Sequence, residues 1–223
     1  MRRYLSGGVN RLALLALTLA TGGILHVRTA EAADAVTYEI TADEMCCAGC
    51  AKKVAAQLYT APGVSNVNAN VAGRTVTITA KPSQKLTVEK LWSAVEKGKG
   101  KPSKLISSEA TYTLTPLDPA TQQASPGVYT VVVVDLKVSG VADKVGRELQ
   151  TIRGVKTVVL HLDQDALVVE AHPGVHLSPF ALASAVERSG QQPSAIVGSY
   201  GQLTIEPSTA KVSARQVMKG SVR

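Results

Sequence analysis

The 223-residue chain matches itself. Shifted by about 91 positions without a gap, it pairs Tyr38 with Tyr129, Gly49 with Gly140, Leu58 with Leu149 and Gly63-Val64 with Gly154-Val155. The same shift pairs Pro82 with Pro173, Ala94-Val95-Glu96 with Ala185-Val186-Glu187 and Pro116 with Pro207. Roughly 23 of about 81 paired positions are identical, well above chance for an ungapped match. The chain is therefore expected to hold two copies of one small fold, and any assignment for one half has to serve for the other.

Periodicity reads the same order of elements in the first half. Val36 to Ala42 alternates and carries Thr, Tyr and Ile, as a half-buried strand does. From Gly49 to Thr60, Val54 and Leu58 stand at i and i+4 beside Ala51 and Ala55, a helix face that Pro62-Gly63 stops. Val64, Val67, Ala69 and Val71 begin a strand, Ala72-Gly73-Arg74 turns it, and Val76, Ile78 and Ala80 return it. Thr87 caps a second helix through Glu96, with Val88, Leu91, Trp92 and Val95 at core spacing. Leu105-Ile106 and Tyr112 to Thr115 close the sheet. The expected class is α+β: two tandem βαββαβ, ferredoxin-like domains, each an antiparallel sheet with two helices on one face.

The domains are expected at residues 34–116 and 127–207, joined by a polar, proline-bounded linker at 117–126. Residues 208–223 form a basic, polar tail with the composition of a disordered segment. The first 32 residues read as a signal peptide: Arg2, Arg3 and Arg11, an apolar run from Leu12 to Leu25, then Ala30-Glu31-Ala32. The apolar run is short of the roughly 20 residues that span a bilayer, so no stable membrane insertion is expected after cleavage. Four arginines and one glutamate leave with this segment, and the net charge of +7 falls to about +4. Much of the basicity is targeting, and nucleic acid drops out as a partner. The expected compartment is periplasmic or extracellular, and oxidising.

All three cysteines fall in Met45-Cys46-Cys47-Ala48-Gly49-Cys50, where the first strand runs into the first helix. Thiols at i and i+3 put two soft sulfurs on one side of the turn, and the helix N-terminus favours their thiolate forms. Soft sulfur selects Cu(I) and borderline Zn(II). The Met-x-Cys-x-x-Cys pattern resembles the signature of the heavy-metal-associated domain of copper chaperones, metal-pump N-termini and periplasmic mercury-binding proteins. The resemblance extends over about 75 residues, through the following helix, the Pro62-Gly63-Val64 turn, the strand pair and the helix ending at Gly98-Lys99.

That resemblance implies a site at Cys47 and Cys50 for one soft ion, Cu(I) first and Zn(II), Cd(II) or Hg(II) behind it. It also implies a metal-donating or metal-accepting protein as partner, and no catalysis. Met45 is implied to pack beneath the loop. Lys99 matches a lysine that offsets the charge of a Cu(I)–dithiolate, although a solvated lysine in a basic run explains it as well. Cys46 stands where the family usually has Thr, Ser or His; a third ligand and a surface thiol both remain open. In the second copy the motif reads Leu136-Lys137-Val138-Ser139-Gly140-Val141, and both ligand positions are valine. His161, His172 and His176 lack a ligand pattern and read as surface residues.

Two other classes compete with a metal carrier. C-x-x-C at a helix start is also the thioredoxin arrangement, but Cys46 and Gly49 stand where that family has an aromatic and a proline, and the order of elements differs. The last class is an interaction scaffold that uses both halves and no metal.

Overall fold

The computed structural model describes residues 35–82, 85–117 and 125–208. The expected leader, residues 118–124 of the linker and residues 209–223 of the tail lie outside them.

Strand β1 is Val36–Ala42, with Ile40 and Ala42 fully buried and Thr37 and Glu39 exposed. Helix α1 (Ala48–Leu58) buries Ala51, Val54 and Leu58, one face at i, i+3 and i+7. Gly63 then turns the chain at φ 88°, a left-handed conformation that costs glycine nothing. Strands β2 (Val64–Asn70) and β3 (Thr75–Ala80) form a hairpin. Helix α2 (Val88–Lys97) is capped by Thr87, whose side chain accepts the Lys90 backbone N–H at 3.3 Å. Strand β4 (Pro102–Ile106) completes the βαββαβ order of a ferredoxin-like fold, and β5 (Ala110–Thr115) follows it in a hairpin.

The second half runs in the same order: β6 (Val128–Val133), α3 (Val141–Gln150), β7 (Val155–His161), β8 (Ala166–Ala171), α4 (Pro179–Arg188) and β9 (Pro193–Gly198). A one-turn 3-10 segment, Leu162–Gln164, links β7 to β8, and β10 (Gly201–Pro207) ends the described chain. His161 ends β7; His172 and His176 are exposed in the β8–α4 loop.

The expectation of two separate sheets is corrected here. All ten strands belong to one antiparallel sheet in the order β2-β3-β1-β4-β5-β10-β9-β6-β8-β7. The segment expected to close the first domain's sheet does more than that. β5 pairs with β4 on one side and with β10 on the other, from Gln202 opposite Thr115 to Pro207 opposite Ala110. An edge strand presents a row of unpaired N–H and C=O groups, and pairing β5 with β10 removes one such edge from each half.

Registered neighbours share a face. Ile40, Leu105, Tyr112 and Ile205 lie on one row, and Leu203, Ile196, Val131 and Leu167 on the next; all are buried. One side of the sheet thus carries a single core spanning both halves. Helix α1 packs on α2, α3 on α4, and α2 also meets α4. At that meeting Phe180 tilts against Trp92 and Tyr112, and Tyr129 stacks on Tyr200. Of the eight aromatic residues in the chain, five make these ring contacts across or beside the joint.

Candidate metal centre

After β1 the chain is held from two directions. Met45 is fully buried and anchors the loop from below. From the side, the loop after α2 clamps it: Asp43 N–H donates to Lys101 O and Glu44 N–H to Gly100 O, both at 3.0 Å. Ser103 Oγ donates to Asp43 Oδ1 at 2.9 Å. Gly98 is required where this loop leaves α2, because a Cβ there would come 2.7 Å from the Val54 Cα of α1. Sequence reasoning missed this clamp; its one legible signal was the run Gly98-Lys99-Gly100-Lys101. Lys99 is exposed within it, with φ 59°.

The clamped loop delivers three sulfurs to the start of α1. Cys47 is the N-cap, with extended backbone (φ −152°, ψ 165°), and its Sγ accepts the Cys50 backbone N–H at 3.3 Å. Cys47 Sγ lies 2.9 Å from Cys50 Sγ, and Cys46 Sγ lies 4.0 Å from Cys50 Sγ. All three sulfurs fall within 4.8 Å of one another. The thiols are free, Cys46 and Cys47 exposed and Cys50 half-buried.

Hydrogen bonding divides their acidities. The Cys47 thiol is pulled below its ordinary range, chiefly by its hydrogen bond with the Cys50 thiol and next by the Cys50 backbone N–H. The same contact, together with burial, pushes the Cys50 thiol up.

These distances fit a soft ion. Metal–sulfur bonds of about 2.3 Å place trigonal thiolates ~4.0 Å apart, the separation Cys46 and Cys50 already have. Cys47 and Cys50 have to part by roughly 1 Å to share an ion in the same geometry. Among the described residues no other cluster of three His, Cys, Asp or Glu side chains is arranged to hold a metal. The cluster is all sulfur, and Cys46 and Cys47 are open to solvent.

The model of the heavy-metal-associated domain matches residues 39–102. Residues 39–102 are a heavy-metal-associated domain. Among solved structures, the N-terminal soluble domains of Bacillus subtilis CopA share 18% identity, with 72% of this chain and 93% of that one covered at a TM-score of 0.32. Oxidised MerP from Ralstonia metallidurans CH34 shares 25%, over 31% of this chain and 94% of that one, at 0.29. The N-terminal domain of a potential copper-translocating P-type ATPase from Bacillus subtilis, in its Cu(I)-loaded state, shares 31%, over 33% and 88%, also at 0.29. No curated protein matches the chain.

The heavy-metal-associated motif has a counterpart in the second half that differs in shape as well as chemistry. Leu136 takes the place of Met45 and is likewise fully buried. Lys137 stands where Cys46 does and pairs with Asp165 at 3.0 Å. Val138, opposite Cys47 in the self-alignment, is 56% exposed and cannot cap a helix. Gly140 takes that role with φ 77° and no side-chain hydrogen bond, and α3 begins at Val141, the position equivalent to Cys50. Helix α1 starts two aligned positions earlier because Cys47 Sγ holds its first turn.

Proposed function

We propose that this chain is an exported metal-binding protein that takes up one soft ion between Cys47 and Cys50 and passes it by thiolate exchange to or from a partner protein. The observation that carries this reading is three free thiols within 4.8 Å of one another at a helix N-terminus, Cys46 and Cys47 open to solvent. Cu(I) is the first choice because two or three thiolates without a nitrogen or carboxylate ligand suit the softest ion; Zn(II), Cd(II) and Hg(II) follow.

Cys47 and Cys50 hold the ion together as thiolates, each proton being released as the ion takes its place. Cys46 stands within reach as a third ligand during hand-over, when a partner's thiolate attacks the exposed ion and one of the chain's own sulfurs leaves. Two thiolates around Cu(I) leave one net negative charge, and Lys99 lies in the loop bonded to the site, where its ammonium favours that charge. Met45 fixes the loop from beneath and stays off the ion.

The rest of the chain has subordinate parts in this reading. Residues 1–32 direct export to the periplasm or outside the cell. Residues 127–207 are a metal-blind copy of residues 34–116, kept as a structural or docking module. Among the described residues, no helix is long and apolar enough to cross a membrane.

Native mass spectrometry of the reduced protein with competing Cu(I), Zn(II) and Hg(II) tests the proposal. One Cu(I) per chain, lost in Cys47→Ser/Cys50→Ser, is expected. Uptake that survives that double substitution sinks it. Insulin-reducing activity that disappears in Cys47→Ser would put a redox enzyme in its place.

A further inference from the structure

The sheet carries its helices on one side. All four send their buried residues into the core that holds Tyr129, Val131 and Leu167, and among the described residues no helix lies on the opposite side. What stands on that open side changes from one half to the other. In the first half Thr41 of β1 is registered with Thr75 of β3 and Lys104 of β4. In the second half the same places on β6, β8 and β9 hold Val132, Ala166 and Ala195. Thr77 and Asn68, paired across β3 and β2, likewise give way to Val168 and Val159, paired across β8 and β7.

This exchange is not needed to make strands. Threonine and valine have nearly the same shape and suit a pleated backbone alike, so replacing one by the other removes a hydroxyl and its preference for water. Val159 is 51% exposed, and Val132, Val168 and Val197 are half-buried by the strands beside them. Contiguous apolar surface of this kind marks a contact with another molecule. The charges at its border, Lys156 and Glu170, bond to each other at 2.8 Å and leave its centre neutral.

We propose that the open face of β9, β6, β8 and β7 is the contact between two copies of this chain, packed sheet on sheet about a twofold axis. The area supports this occupant. Strands β5, β10, β9, β6, β8 and β7 adjoin in that order, and each is at least six residues long. At about 4.8 Å between strands and ~3.3 Å per residue they offer roughly 570 Å² of plane per copy. Two such faces, stacked ~10 Å apart, bury roughly 1,100 Å², the area at which a specific interface becomes stable. Valine and alanine form its centre, and Thr113, Gln202 and Thr204 on β5 and β10 form a polar rim, as interfaces are built. Each copy supplies the flat, neutral, apolar surface that the other lacks, and one twofold operation covers both. The cysteines follow β1, outside these six strands, so the contact does not depend on an ion at Cys47 and Cys50.

Sedimentation equilibrium of the reduced, metal-free full chain tests this. A dimer is expected at about 100 µM, where a pair with a Kd of ~10 µM or less is mostly formed. A monomer at that concentration overturns the proposal. Flotation of that monomer with phosphatidylcholine vesicles would assign the face to a lipid surface and overturn it likewise.

Val132→Thr/Val168→Thr gives the second half what the first half carries at Thr41 and Thr77, so the far-ultraviolet circular dichroism should stay unchanged. The Kd of the pair should rise at least about 100-fold. Both positions lie on strands inside the sheet, so this loss distinguishes stacked faces from pairing along the edge strand β7. An unchanged Kd overturns the proposal. Thr41→Asp/Thr77→Asp should leave the dimer intact, and a monomer there would move the contact to the first half and overturn it. Cys46→Ser/Cys47→Ser/Cys50→Ser should pair as the unaltered chain does; a monomer would mean that thiols or an ion bridge the copies, which also overturns it.

Discussion

Trp92 of α2 and Phe180 of α4 pack with ring centroids 5.2 Å apart and planes tilted by 53°. Tilted aromatic pairs of this kind contribute about 0.5–1.5 kcal/mol beyond the area they bury. Each residue belongs to a different half, and neither has an aromatic counterpart in the other: the self-alignment pairs Trp92 with Ala183 and Phe180 with Glu89. Tyr112 is paired with Leu203, and Tyr200 with Glu109. The halves differ at these facing positions, which makes the joint a contact between side chains that are not equivalent in the two copies.

Phe180→Ala should consequently destabilise the whole described fold, by about 3–5 kcal/mol for a buried aromatic ring. Urea titration followed both by far-ultraviolet circular dichroism and by Trp92 fluorescence should give coincident transitions at a lower midpoint. A loss below about 1 kcal/mol would mean that the joint is not part of the shared core.

Alkaline stability follows from the same region. Burial, first of all, pushes the Tyr112 and Tyr200 hydroxyls well above their ordinary value of 10.0. The folded chain thus holds these phenolic protons more tightly than the unfolded chain does. The stability this contributes is complete below about pH 10 and is lost progressively as pH rises beyond it. Tyrosinate absorbance should show two tyrosines that ionise only as the circular dichroism signal collapses. All tyrosines titrating together near the ordinary value, with the fold intact, would contradict this.

For the thiols, Cys47→Ser and Cys50→Ser should each abolish tight Cu(I) binding. Cys46→Ser should weaken it by at most about tenfold, or ~1.4 kcal/mol, because Cys46 adds a third sulfur to a pair that already suffices. Competition with a Cu(I) chelator measures all three. Equal loss in the three variants would make the resting site a three-sulfur one.

Restoring sulfur to the second half should not restore a site. Val138→Cys/Val141→Cys supplies the spacing, but Val138 is exposed, Gly140 sits at φ 77° and α3 starts at Val141 without a side-chain cap. Chelator competition on this variant in a Cys47→Ser/Cys50→Ser background should find Cu(I) binding weaker by at least about 100-fold, or ~2.8 kcal/mol, than at the natural site. Comparable affinity would show that loop shape is immaterial and spacing alone makes the site.

Local signals in the sequence were sufficient for local structure. Alternation marks β1 over Val36–Ala42, Thr87 caps α2 where a helix start was expected, and Pro62-Gly63 ends α1. The cysteine constellation was legible for the same reason: its thiols lie within five residues, and the helix start that gathers them is encoded beside them. The clamp from Gly100 and Lys101 was not, because its partners Asp43 and Glu44 are nearly sixty residues away and bond through backbone atoms that every residue has.

By itself the sequence determined the order of elements in each half and the gathering of three thiols at one helix start. These are consequences of side-chain period, turn chemistry and short spacing, all written within a few residues. Tertiary structure decided that β5 and β10 join two halves into one sheet, that Phe180 meets Trp92 rather than its own half's equivalent, and that Cys46 stands 4.0 Å from Cys50. A strand edge pairs with any edge of suitable twist, and a ring fills whatever gap it fits. Those partners are selected by shape across the folded molecule, and shape has no period to read along the chain.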